Sequence, residues 1–109
     1  MAIDVQTLAQ QMFQAAVPIL QQGAQDAESF AKTEFTKIAQ TIASVGEQVA
    51  AGQINQDQAK LLLNMQTSAS RNVLLTLQGL ALLMVESAIN AALGVVKGTV
   101  NTALGFALI

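Results

Sequence analysis

The chain reads as an all-α protein built on one long antiparallel helical hairpin, and three observations predict this. Proline occurs once, at Pro18, while alanine, leucine and glutamine recur throughout, so helix propensity is favourable nearly everywhere. Apolar residues repeat at helical spacing, and no strand-like alternation lasts more than a few residues. A helix stop and a helix start stand close together around Gly52. At 109 residues the chain makes one domain at most. Its first arm is expected over 4–51, its turn over 52–55 and its second arm over 56–109.

The first arm opens at Asp4, a side chain suited to cap a helix start. Val5, Leu8, Ala9, Met12, Phe13, Ala16, Ile19 and Leu20 then recur on one face, with Gln6, Gln10 and Gln14 on the other. Pro18 removes one helical hydrogen bond and Gly23 loosens the chain, so a kink or break is expected from Pro18 to Gly23. Beyond it Ala27, Phe30, Ala31, Phe35, Ile38, Ile42, Val45 and Val49 share a face. Most of the arm's charges lie off that face, and Glu34 with Lys37 reads as a surface pair.

The turn is the most legible local signal. Gly52 suits the left-handed position that ends a helix, and Asn55 can cap the next helix with Gln58 reaching back in a capping box. Ile54, just before the cap, is placed to staple onto Ala59.

Nothing after Gln56 reads as a decisive break, and a continuous helix of about 50 residues would extend roughly 75 Å. From Asn72 to Ile109 the only charges are Glu86 and Lys97, so the arm ends in a long apolar helix. Within it Gly79, Glu86, Asn90, Gly94, Lys97, Gly98, Asn101 and Gly105 fall within about one third of the circumference. Leu82, Val85, Ile89, Leu93, Val96, Val100 and Leu104 fill the broad remainder. The narrow stripe of small and polar residues is a candidate assembly seam, because glycines such as the Gly94/Gly98 pair let backbones approach closely. The same glycines would equally serve packing against the first arm. Glu86 and Lys97 stand roughly 16 Å apart along the helix and cannot pair within it, which invites pairing between copies.

Composition removes several function classes. Hydrophobic residues make up 52% of the chain and charged residues 11%, with a mean hydropathy of +0.46. A two-arm hairpin of that composition is expected to leave apolar surface for something outside the chain to cover. There is no cysteine and no histidine, so thiolate and imidazole chemistry, as nucleophile, base or metal ligand, is ruled out. Asp26 and Glu28 point apart on a helix, and no glycine loop is placed to cradle phosphate. The expectation is therefore no enzyme, no catalytic, metal or cofactor-binding residue, and no small-molecule substrate. Five basic residues against seven acidic ones give a net charge of −2, which offers nucleic acid no electrostatic footprint.

Met1-Ala2-Ile3-Asp4 lacks the basic region and apolar run of a Sec-type signal peptide, so export would use another route. The favoured reading is a structural subunit that assembles with copies of itself into a filament, tube, ring or other homo-oligomer. The alternative is a membrane-active hairpin, pore-forming or holin-like, whose partner is lipid. Against it, charge-free runs in the last helix fall short of the ~20 residues of a span, and tryptophan and tyrosine are absent from the interfacial belt. A third reading, an adaptor that binds another protein's helix, rests on amphipathicity alone, without a sustained heptad.

Overall fold

A computed structural model describes residues 3–20, 27–78 and 80–109. Among them the chain is all-α, with α1 over Val5–Leu20, α2 over Ala27–Ala50, α3 over Gln56–Gln78 and α4 over Leu82–Leu104. Asp4 caps α1 as its sequence suggests. Its Oδ1 accepts from the Gln6 backbone N–H at 3.1 Å, and its Oδ2 accepts from the Thr7 hydroxyl at 2.8 Å. The Thr7 hydroxyl, seconded by the backbone N–H groups, holds the Asp4 carboxyl below the usual carboxylate range. Helix α1 runs through Pro18 to Leu20, and the expected break at Gly23 lies outside the described residues.

The α2/α3 hairpin follows the predicted turn. Gly52 adopts φ +73°, its N–H donates to the Val49 carbonyl at 3.0 Å, and the Gln53 N–H donates to the Gln48 carbonyl at 2.9 Å. Together these bonds form a Schellman motif, which satisfies carbonyls that the helix end would otherwise leave unpaired. Asn55 and Gln58 then make both halves of the capping box: Asn55 Oδ1 accepts from the Gln58 N–H at 2.8 Å, and Gln58 Oε1 accepts from the Asn55 N–H at 2.9 Å. Ile54 and Ala59 both join the core. Replacing Asn55 with alanine is expected to lower stability by about 1 kcal/mol, since it removes the side-chain acceptor of the Gln58 N–H. Urea unfolding measures this, and an unchanged midpoint would mean that the cap is idle.

The second arm departs from the expected continuous helix. It stops at Gln78 and restarts at Leu82, with Ala81 in an extended conformation (φ −65°, ψ 143°) and no side-chain cap. The molecule measures 42 × 21 × 18 Å, so the roughly 75 Å arm does not form and the chain folds back. The physical reason is coverage. Helix α4 buries Val85, Ala88, Ile89, Ala92, Val96 and Val100, and α1 is the helix against which it packs most extensively. Helix α1 also packs on α2, α2 on α3, and α3 meets α4 more lightly. The hairpin thus closes into a four-helix arrangement, in which the start of α1 (Ile3, Asp4, Thr7) lies beside the end of α4 (Thr99, Val100, Ala103).

One core runs through all four helices, with Met12, Leu20, Phe35, Ile38, Ile42, Leu74, Val85 and Ile89 among its most enclosed side chains. The accessible surface is 5931 Å², close to the ~5,800 Å² of an ordinary monomer of this mass. The total area is thus that of four packed helices rather than of an open hairpin, while Leu61, Met65, Leu83 and Val95 still stand more than half exposed.

Candidate assembly surface

Helix α4 positions the predicted seam on its outward side. Val85, Ala92 and Val96 point into the bundle. Gly94 stands about half a turn round from Val85, and Gly98 close to it. Both are exposed, and a Cβ built on either meets nothing within 4 Å. The two glycines accordingly make no close approach to another helix among the described residues. Asn90 and Lys97 are also exposed, and Glu86 is half-buried. Glu86 and Lys97 make no ion pair among the described residues.

The two ends of the seam have other surroundings. Gly79 lies outside the described residues. Gly105, with φ +79°, ends α4, its N–H donating to the Asn101 carbonyl at 3.0 Å. The Asn101 side chain turns to the residues that follow. Its Oδ1 accepts from the Leu108 and Ile109 N–H groups at 2.9 and 3.1 Å, and its Nδ2 donates to the Ile109 carbonyl at 3.2 Å. Leu108 is buried and joins the core. Asn101 and Gly105 thus act on their own chain, and the outward stripe shortens to Glu86, Asn90, Gly94, Lys97 and Gly98.

Sequence reasoning missed a second outward face, on α3. Ala59, Leu63 and Leu74 are buried, but Leu61 and Met65 are each 59% exposed and Leu62 is 37% exposed. Consecutive Leu61, Leu62 and Leu63 span about 200° of a helix, more than one core-facing stripe holds, and this was the available signal. Leu62 and Met65 border an open groove whose other wall is Thr41, Ser44 and Gln48 of α2. Phe30, also exposed, shares that α2 side at helical spacing.

Glu34 is a further correction. Its Oε2 accepts from Lys37 Nζ at 3.1 Å as the spacing suggests, but Glu34 is only 4% exposed, so the pair is half inside the molecule. The side chains of Asp26 and Glu28 lie outside the described residues. Among those described, no three acidic residues gather where they would hold a metal ion. Comparison with known proteins finds no matching family model, no similar curated protein and no similar solved structure.

Proposed function

We propose that the chain is a non-enzymatic structural subunit that assembles with copies of itself through the outward faces of its helices. The observation that carries this reading is the open space beyond Gly94 and Gly98. A glycine in an exposed helix interior costs about 1 kcal/mol relative to alanine. Here two such costs stand one turn apart, with no contact among the described residues of the chain to offset them. A close helix–helix contact with a second copy would offset both. Leu82, Leu83 and Val95, all exposed on the same helix, add apolar area for that contact.

Gly98→Leu tests the reading, because a bulky side chain fits the single chain and obstructs the contact. The expected result is loss of assembly, by light scattering and electron microscopy, with helicity retained or raised. Unchanged assembly with raised helicity would remove the glycines from the interface.

Membrane insertion is the second reading, favoured by one observation. Helix α4 is 23 residues long with a mean hydropathy of 1.3, and only 33% of the apolar window is buried in the bundle. Insertion would require α4 to leave α1 and to bring Glu86 and Lys97 into or near the bilayer, at roughly 2.5 to 3.5 kcal/mol for each charge at its centre. Flotation with liposomes in the absence of detergent separates the two readings.

A further inference from the structure

We propose that the outward face of α3 is a two-fold contact between two copies of this chain, centred on Met65, in which Leu61 and Leu62 of each copy seat on Ser68 and Ala69 of the other, respectively. The inference rests on the self-assembly reading and names one of its joints.

Three observations converge on it. Among the described residues, Leu61, Leu62 and Met65 are large apolar side chains left exposed close together on α3, and Leu62 and Met65 border the open groove against α2. Next, no charged residue stands between Lys60 and Arg71, so a two-fold contact over this stretch brings no like charges face to face. Finally, side-chain size changes along the face. Leu61 and Leu62 are large and occupy its first half, Met65 is the midpoint, and Ser68 and Ala69 are small, exposed and occupy the second half. An antiparallel copy reverses that order, so each large pair meets a small pair and the two surfaces interdigitate. A parallel copy would oppose large to large. A two-fold operation gives the antiparallel arrangement, the same patch serving both partners.

Area sets the strength. The exposed parts of Leu61, Leu62 and Met65 together amount to about one and a half whole apolar side chains. That falls short of the ~800 Å² per partner in a standard interface, so the contact belongs to the weak, transient class. A weak joint gains its effect by repetition in an assembly, where a neighbour is already held close.

The chain has no cysteine, which makes single-cysteine variants clean reporters. Met65→Cys places a thiol beside its own symmetry mate, so mild oxidation is expected to give a covalent dimer, whereas Gln10→Cys on the exposed side of α1 gives none. Leu61→Glu, at a position already exposed, should leave the circular dichroism spectrum intact and weaken self-association roughly tenfold or more in sedimentation equilibrium. Adding Ser68→Lys to Leu61→Glu should restore it. The two positions are about 10 Å apart within one helix and pair only across the interface. Self-association that ignores Leu61→Glu, with no Met65 cross-link, overturns this joint and leaves self-assembly standing on another surface. A chain that stays monomeric up to millimolar concentration overturns the self-assembly reading itself. Binding of the monomer to phosphatidylcholine vesicles that Leu61→Glu abolishes would assign the face to lipid and overturn the proposal.

Discussion

Replacing Phe35 with alanine is expected to destabilise the chain by about 3 to 5 kcal/mol, the range for deleting a large aromatic side chain from a packed core. Phe35 is 0% exposed and belongs to the cluster that joins all four helices, so the cavity it leaves has walls that cannot all collapse at once. Small domains have about 5 to 15 kcal/mol in total. The variant should therefore be partly unfolded at physiological temperature, with a large fall in urea midpoint at fixed protein concentration. Concentration must be held because association with other copies would itself stabilise the folded state. A loss below about 1 kcal/mol would contradict the enclosed position of this side chain.

Gly52→Val is expected to follow, at about 1 to 3 kcal/mol, through the backbone alone. A Cβ at Gly52 meets nothing within 4 Å, so no collision contributes. The cost comes from φ +73°, which a β-branched residue tolerates poorly. Asparagine, which visits the left-handed region more readily, should lose much less. Stability in the order glycine, asparagine, alanine, valine would identify conformational strain as the cause. Equal losses for all three replacements would point to a steric cause instead.

The turn was legible because each of its signals is local. A stop glycine, a capping asparagine and a glutamine three residues on make their hydrogen bonds within one short segment, whatever surrounds it. The break after Gln78 was not legible, because Gly79, Gly94 and Gly98 stand in similar apolar company and only tertiary coverage separates a stop from a continuing helix. Thr67 and Ser70 of α3 are polar and yet buried. Thr67 Oγ1 donates to the Asn64 carbonyl at 3.0 Å, and Ser70 Oγ accepts from Gln66 Nε2 at 3.1 Å, so both hydroxyls are satisfied within their own helix. The bonds of Asn101 to Leu108 and Ile109 were not legible, since composition cannot show that residues after Gly105 turn back to meet it. As for the candidate surface, helical period alone put Gly94 and Gly98 on one stripe, whereas the outward direction of that stripe and the exposed face of α3 both depended on which helices would come to lie beside them.

The pairing of α1 with α4 has a consequence for the order in which the molecule forms. Helices α2 and α3 are joined by a tight turn and close a short loop, whereas α1 and α4 are separated by nearly the whole chain and meet only after a long one closes. Local contacts of the first kind form early, and distant ones reward the chain only once that closing entropy is overcome. The hairpin is thus the natural nucleus, and the docking of the first helix on the last is the late event. Interactions made after the barrier act mainly by slowing escape from the native state. The most extensive helix pair in the molecule, α1 with α4, accordingly governs how long a folded copy persists more than how quickly it arises.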